Sequence, residues 1–120
     1  MAHFIDWPGF SGKKYTFETH PFGTEFGSYS GIYIACVETS AGRWNALYVG
    51  ETHSFFDRIY AGLENHNGLK CARSNGATHL GVMRVYGNAA RLAVETELRH
   101  VLDPHCNRQN VPTMGSIFGR

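Results

Sequence analysis

Two short apolar runs, separated by a polar interval and followed by a helix signal, constrain the fold of this chain most. The first run spans residues 31–37 (GIYIACV) and the second spans residues 46–50 (ALYVG). Runs of β-branched and aromatic residues on either side of a Ser-, Gly- and Asn-containing interval are typical of an antiparallel hairpin. Ser54 is positioned to cap a helix that begins directly afterwards and extends to about Leu63. The sequence therefore predicts a β-hairpin that leads into a helix.

Two further elements are predicted in the second half of the chain. Residues 79–86 are expected to form a third strand, and residues 89–102 the clearest helix, with Asn88 as its N-cap. Residues 65–78 are expected to form a loop, because they are polar and contain two Asn-Gly pairs. The predicted fold class is α/β (α+β). It consists of a small three-stranded antiparallel sheet flanked by helices, with an extra N-terminal strand near residues 15–20 or an irregular segment.

The length and composition predict one soluble globular domain. At 120 residues the chain is long enough for a modest core and too short for two. We expect residues 1–30 to form an extension packed on the core, residues 31–107 to form that core, and residues 108–120 to form an extended tail. No apolar run approaches the ~20 residues that cross a bilayer, and the N-terminus lacks a secretory pattern. A cytoplasmic protein with no membrane partner is therefore expected.

Charge and cysteine usage limit the classes of partner. The net charge is +1 and the pI is near 7.8, so long-range attraction to nucleic acid would be weak and affinity must come from a local patch. Cys36, Cys71 and Cys106 are odd in number and lack paired CxxC spacing. Reduced thiols are therefore expected.

The helix predicted over residues 89–102 places a carboxylate at the border of its apolar stripe. That inward stripe is predicted to consist of Val94, Leu98, Val101 and Leu102. Glu95 lies at its edge, where an unpaired carboxylate requires a cation, a donor or a metal. Arg91 and Arg99 could supply an ordinary surface ion pair. Glu97 borders the other side of the stripe, so periodicity alone does not choose between the two glutamates.

The order of these motifs resembles the catalytic domain of the GIY-YIG endonuclease family. Residues 31–33 read Gly-Ile-Tyr, and residues 48–50 read Tyr-Val-Gly, which is similar to the family's second motif with Val in place of Ile. Arg58 follows Tyr48 by ten residues, as the family's arginine does on its first helix. The resemblance covers about residues 31–107 and implies the family's fold and its nuclease activity.

The resemblance also chooses between the two glutamates. The family has a glutamate, a leucine, a proline and an asparagine at a characteristic spacing. That spacing is matched by Glu95, Leu98, Pro104 and Asn107. It therefore implies that Glu95, and not Glu97, is the carboxylate of the site.

What the resemblance implies chemically is metal-dependent hydrolysis of phosphodiester bonds in DNA. One Mg²⁺ or Mn²⁺ ion held by Glu95 would stabilise the transition-state charge and the leaving oxygen. Tyr33 would be the general base toward the attacking water, and a nearby cation would have to lower its pKa from about 10. Arg58 would bind the scissile phosphate, and Tyr48 would orient water or phosphate. Asn107 would hydrogen-bond within the site, either as a catalytic group or as a structural brace.

Other residues are candidates for contacts around this site. His53 lies three residues after Gly50 and could assist as a base or phosphate ligand, or serve only in capping or packing. Lys70, Arg73 and Arg84 could contact the DNA backbone, with a solvated surface as the equal alternative. DNA is the expected partner. Specificity would come from the N-terminal segment, from a specificity or targeting protein, or from self-association.

Two other function classes stay open on the residues alone. Tyr33 and Tyr48, judged singly, are more often core tyrosines than catalytic ones. That interpretation would leave a non-catalytic nucleic-acid-binding or protein-interaction module that retains the fold. His66, Cys71 and His79 could instead hold zinc in a structural domain, although their spacing is not that of a compact finger.

Overall fold

The computed structural model describes residues 3–109 of the chain, and an antiparallel sheet of five strands organises them. The strands lie in the order β1-β2-β5-β3-β4, so β1 and β4 form the two edges. Their bounds are β1 (His3–Pro8), β2 (Lys14–Pro21), β3 (Gly31–Ser40), β4 (Arg43–Thr52) and β5 (His79–Arg84).

Helices cover both faces of the sheet. Their bounds are α1 (Asn67–Ser74), α2 (Asn88–Leu102) and α3 (His105–Gln109), together with a π-helical segment (Phe56–Ala61) and a 3₁₀ turn (Leu63–Asn65). Successive side chains of β3 point to opposite faces. Tyr33 packs with α1, α3 and the π-helical segment, whereas Ile32 and Ile34 pack with Leu98 of α2. Strand β3 is therefore buried on both faces, which explains its continuous apolar run.

The expectation of a three-stranded sheet is wrong. The two additional strands come from the N-terminal region, where β1 pairs with β2 and β2 pairs with β5. Phe17 of β2 is fully buried against the α2 side of the sheet, and Trp7 of β1 is almost fully buried there too. The N-terminal residues thus extend the sheet, and the expected strand near residues 15–20 is present as β2.

The hairpin of β3 and β4 is longer than the apolar runs suggested. The pairing continues to Ser40 and Arg43, so that only Ala41 and Gly42 lie between the strands. Gly42 has a φ of 74°, a conformation that glycine adopts without steric cost. The polar residues of the interval are therefore strand residues on an exposed ribbon, with irregular pairing between Glu38 and Ser40.

The helix after the hairpin begins as predicted but differs in type. The Ser54 hydroxyl accepts a hydrogen bond from the Asp57 N–H at 3.2 Å, as an N-terminal cap does. The following turns are π-helical from Phe56 to Ala61, and a 3₁₀ turn follows Gly62. Such segments are frequent at functional sites, and this one carries Arg58.

The loop expected over residues 65–78 contains helix α1. The imidazole of His66 caps this helix by accepting a hydrogen bond from the Leu69 N–H. Leu69 and Ala72 are fully buried on the inner face. These tertiary contacts offset the weak helix propensity of the Asn-Gly pair at its start.

In the C-terminal part of the structure, helix α2 agrees with the sequence prediction, and the residues after it differ from that prediction. Helix α2 begins at Asn88, one residue earlier than predicted, with Gly87 as the residue before it. Leu98 is buried as expected, but Val101 is 41% exposed. Residues 105–109 form helix α3, so residues 108 and 109 are helical where the extended tail was expected to begin, and residues 110–120 of that tail lie outside the described residues.

The expectation of reduced cysteines is wrong for two of the three. Cys71 of α1 and Cys106 of α3 form a disulfide, and Cys36 is a buried free thiol. Because Cys71 is bonded to sulfur, and His66 is hydrogen-bonded to Tyr33, the zinc site proposed from His66, Cys71 and His79 is not formed. In the part of the chain described, every helix is too short or too polar to cross a bilayer.

Candidate active site

The Tyr33 ring lies across the backbone of Gly50, on the same sheet face as α1. Tyr33 and Gly50 are direct partners in the β3–β4 ladder. A Cβ atom at position 50 would overlap the Cζ, Oη and Cε2 atoms of the Tyr33 ring. The glycine therefore leaves the space in which the phenol reaches toward the β4 edge, and only 1% of Tyr33 is exposed.

His66 is the hydrogen-bond partner of the Tyr33 hydroxyl. The Tyr33 Oη and the His66 Nε2 are 2.6 Å apart. On the other side of the ring, His66 Nδ1 accepts a hydrogen bond from the Leu69 N–H at 3.2 Å. A neutral imidazole carries a single proton, so acceptance at Nδ1 assigns that proton to Nε2. His66 therefore donates to the Tyr33 oxygen.

The charge state of His66 follows from its surroundings. Burial, and next the nearby positive charge of Arg58, lower the pKa of His66 to about 4. Both causes disfavour the imidazolium. Near neutral pH, His66 is thus a neutral donor to Tyr33.

Tyr48 completes an aromatic cluster with Tyr33 and His66. The ring centroids of the two tyrosines are 6.2 Å apart. The centroids of Tyr48 and His66 are 5.2 Å apart, with the rings perpendicular. Edge-to-face contacts of this kind hold the rings in a fixed relative orientation. The two motif tyrosines are therefore brought together, as the sequence predicted.

Arg58 projects from the π-helical segment as an exposed cation near Tyr33. The pKa of Tyr33 is raised well above its usual value of 10.0, chiefly by burial and next by the adjacent Tyr48 phenol. Arg58 opposes this shift through its charge and hydrogen bonding, and Glu95 contributes a small increase. The cation acts in the expected direction, but burial exceeds its effect.

Glu95 reaches the same sheet edge from helix α2, on the other side of the sheet. It is half-buried, and burial raises the pKa of its carboxyl group, as does the negative charge of Glu51. Arg99 lowers that pKa. Arg91, a partner expected for Glu95, pairs instead with Glu51, with Arg91 Nε 2.9 Å from Glu51 Oε1.

Glu97 has a structural role. Its carboxylate accepts hydrogen bonds from the Ser11 N–H at 3.0 Å and from the Tyr15 hydroxyl at 2.8 Å. These donors, together with the Ser11 hydroxyl, lower the pKa of Glu97. Glu97 thereby holds the turn between β1 and β2 against α2.

Asn107 braces strand β4. Its Oδ1 accepts from the Val49 N–H at 2.8 Å, and its Nδ2 donates to the Val49 carbonyl at 2.8 Å. The side chain thus replaces a neighbouring strand at the edge between Tyr48 and Gly50. Of the two roles predicted for Asn107, the geometry favours the brace.

The donor set at this edge limits how a metal could be held. Among residues 3–109 there is no group of three His, Cys, Asp or Glu side chains arranged to bind a metal. Glu95 is half-buried and the nearby Glu51 is paired with Arg91, and Mg²⁺ can be held by one carboxylate while it keeps most of its waters. Glu95 therefore fits a hydrated Mg²⁺ or Mn²⁺ and does not fit a metal that demands several protein ligands.

The remaining candidates lie farther out. His53 is exposed just beyond β4. Lys70 and Arg73 are exposed on α1, where the Arg73 guanidinium lies 5.2 Å from the ring centroid of Phe22. Arg84 is exposed at the end of β5. None of the four belongs to the cluster of Tyr33, Tyr48 and His66.

Sequence reasoning missed the role of His66. The residue was considered only as a zinc ligand, although it lies three positions before the apolar Leu69 in a helix-capping position. That local signal could have indicated helix α1. The pairing with Tyr33 spans 33 positions in sequence and carries no local signal.

No protein-family model, curated protein or solved structure matches this chain. The likeness to GIY-YIG nucleases stays a prediction based on the motifs.

Proposed function

We propose that this protein is a divalent-metal-dependent DNA endonuclease of the GIY-YIG type, which hydrolyses phosphodiester bonds at the β4 edge of the sheet. The observation that carries the proposal is the clustering of Tyr33, Tyr48 and His66 beside Arg58, with Glu95 at the same edge. Four of these five residues are those that the motif order selected.

In the proposed reaction, Tyr33 accepts a proton from the attacking water. A phenolate is needed for this step, and the Nε2–H of His66 stabilises the phenolate because it donates to the oxygen that bears the charge. The Arg58 guanidinium lies close enough to add positive charge. Tyr33 then returns the proton to solvent after the phosphodiester is cleaved.

Arg58 and Glu95 take the two other roles. Arg58 is an exposed, permanently charged planar group that can hold two phosphate oxygens at once. Glu95 would hold Mg²⁺ or Mn²⁺, which when bound neutralises charge on the phosphate and on the leaving 3′ oxygen. Burial and the charge of Glu51 raise the pKa of Glu95, and a bound cation would oppose that shift because it stabilises the carboxylate.

One observation favours a second candidate function. Tyr33 is 1% exposed, and its hydroxyl is engaged by His66. A phenol this enclosed is also what a purely structural tyrosine would show, as in a non-catalytic nucleic-acid-binding or protein-interaction module. Glu95 supports the enzyme instead, because burial and Glu51 disfavour its carboxylate. Arg91 pairs with Glu51, and the charge of Arg99 offsets only part of this cost.

The test is cleavage of labelled linear and branched DNAs with Mg²⁺ or Mn²⁺ at low salt. Wild type, Tyr33→Phe and Glu95→Ala would be compared, with circular dichroism and thermal unfolding confirming that each is folded. Cutting by wild type that is lost in both variants supports the enzyme. DNA binding without cutting by wild type supports the non-catalytic module. Equal cutting by all three overturns the site.

A further inference from the structure

An exposed cluster of two tyrosines and an arginine lies at the end of β5. The Arg84 guanidinium is 3.8 Å from the ring centroid of Tyr29. Its Nη2 also donates a hydrogen bond to the Tyr86 hydroxyl at 3.0 Å. Tyr29 is 47% exposed and Tyr86 is 68% exposed. We refer to Tyr29, Arg84 and Tyr86 as the stacking cluster.

The stacking cluster is on the same face of the sheet as Tyr33. In the β3–β5 ladder Arg84 lies opposite Gly31, and Val82 lies opposite Tyr33. Paired residues of an antiparallel ladder project to the same face, and Gly31 is two positions from Tyr33. Arg84 is therefore displaced from Tyr33 by about 7 Å along the strand. That distance is about two stacked nucleotides of one DNA strand.

The cluster is also fixed relative to Arg58. The Tyr29 carbonyl accepts a hydrogen bond from the Phe55 N–H at 2.8 Å, directly before the π-helical segment. The Ser30 carbonyl accepts from the Val85 N–H at 3.0 Å, and the Ser30 hydroxyl donates to the Val85 carbonyl at 2.8 Å. These bonds connect the cluster to Phe55, just before the π-helical segment that carries Arg58, and to Ser30, just before β3, which carries Tyr33.

The chemistry of the cluster fits a nucleobase better than a phosphate. A groove of about 240 Å³ that Arg84 lines is also lined by Phe26 and Phe55 and by Glu18 and Glu25. Carboxylates repel phosphate but accept hydrogen bonds from the amino groups of bases. Exposed aromatic rings and an arginine plane are the surfaces on which unpaired bases stack.

We propose that the stacking cluster binds an unpaired base of single-stranded DNA, next to the phosphate that Tyr33 and Arg58 address. This inference rests on the proposed nuclease function and names its substrate class as DNA with unpaired nucleotides beside the cut. Within the described residues, no carboxylate forms an ion pair with Arg84, so its guanidinium plane is available to a base. A duplex would have to be unstacked to reach the cluster, at a cost of a few kcal/mol.

The binding test uses the full chain with Glu95→Gln and no divalent metal, so that cleavage does not intervene. The probe is a single-stranded oligonucleotide with one 2-aminopurine, whose fluorescence is quenched when the base stacks. The variants Tyr29→Leu and Tyr86→Leu are each expected to weaken binding about 5-fold or more and to reduce quenching. Phe10→Leu is the matched control, because Phe10 is 69% exposed and packs beside His100 of α2.

Each outcome decides the proposal. Loss of quenching in both tyrosine variants and not in Phe10→Leu supports it. Equal quenching and affinity in all of the variants, or no binding of the single strand at all, overturns it.

Cleavage assays separate this proposal from the nuclease function. If wild type cuts duplex and single-stranded DNA equally, and Tyr86→Leu changes neither rate, the stacking proposal fails while the nuclease stands. If the single strand binds with quenching and nothing is cut, the nuclease fails while the stacking proposal stands.

Discussion

Tyr33 Oη and His66 Nε2 form a buried hydrogen bond of 2.6 Å, in which the neutral imidazole is the donor. The bond joins the first motif tyrosine to the residue that caps helix α1. The protonation states of these two side chains are therefore coupled to both the stability of the fold and the proposed chemistry.

The first prediction concerns stability at acid pH. The pKa of His66 is lowered to about 4 in the folded protein, whereas an unfolded histidine has a pKa of about 6.5. The unfolded state therefore binds more protons as pH falls below about 6.5, and folding stability is lost progressively toward pH 4. We expect His66 to account for about 3 kcal/mol of that loss at pH 4.

The measurement is urea unfolding from pH 7 to pH 4, with His66→Gln as the comparison. Glutamine cannot take up the proton, so the variant should be less stable at pH 7 but should lose less on acidification. If the free energy of unfolding fell equally with pH in the two proteins, the lowered pKa of His66 would be contradicted.

A second prediction concerns the pH dependence of DNA cleavage. Because burial and Tyr48 raise the pKa of Tyr33, the phenolate is a small fraction at neutral pH. As long as the pH stays below the pKa of Tyr33, that fraction rises tenfold for each unit by which the pH increases. The logarithm of the cleavage rate should therefore rise with a slope of about 1 between pH 7 and pH 9. A rate that levels off below pH 8, in a protein still folded, would contradict a phenolate base at Tyr33.

Gly50→Ala is predicted to disturb Tyr33 directly. The added Cβ would overlap the Tyr33 ring, and overpacking of this kind costs about 1–3 kcal/mol. In a Tyr33→Leu background the ring atoms that cause the overlap are absent, so the same substitution should cost much less. Urea unfolding of the four proteins gives the coupling energy, and a value near zero would contradict the ring position.

The central strands and the long helix could be predicted from the sequence because their signals are local. Strand β3 is buried on both faces and therefore has an uninterrupted apolar run. Strand β1 is an edge strand of which only Trp7 is buried, so its six residues carry almost no alternation. Helix α1 was missed because its stability comes from the buried Leu69 and Ala72 and from the His66 cap.

The candidate site also has a part that the sequence could predict and a part that it could not. The motif order selected Tyr33, Tyr48, Arg58 and Glu95. In the structure Tyr33 contacts Tyr48, and Arg58 lies near Tyr33. The hydrogen bonds that occupy Glu97 come from Ser11 and Tyr15, 86 and 82 positions away. Contacts at that separation, like the pairing of Tyr33 with His66, leave no pattern in a single sequence.

The disulfide between Cys71 and Cys106 should stabilise the protein measurably. It closes a separation of 35 residues between α1 and α3, and a loop of this length is expected to contribute about 2–4 kcal/mol. Urea unfolding with and without dithiothreitol should show that loss, and the double variant Cys71→Ser/Cys106→Ser should be insensitive to the reductant.

Titration of thiols in the unfolded, unreduced protein provides the independent check. One reactive thiol, that of Cys36, is expected. Three reactive thiols, with identical unfolding midpoints in both buffers, would show that the bond is not formed.

The most direct test of the central claim is a comparison of two neighbouring carboxylates in DNA cleavage. Glu95→Gln and Glu97→Gln would be assayed on one labelled substrate with Mg²⁺, each normalised to its folded fraction. Glu95→Gln should lose at least about 100-fold in rate, because it removes the proposed metal ligand. Glu97→Gln should lose only a few-fold, because Glu97 holds the β1–β2 turn. Wild-type activity in Glu95→Gln, or a larger loss in Glu97→Gln, would contradict a catalytic site at the β4 edge.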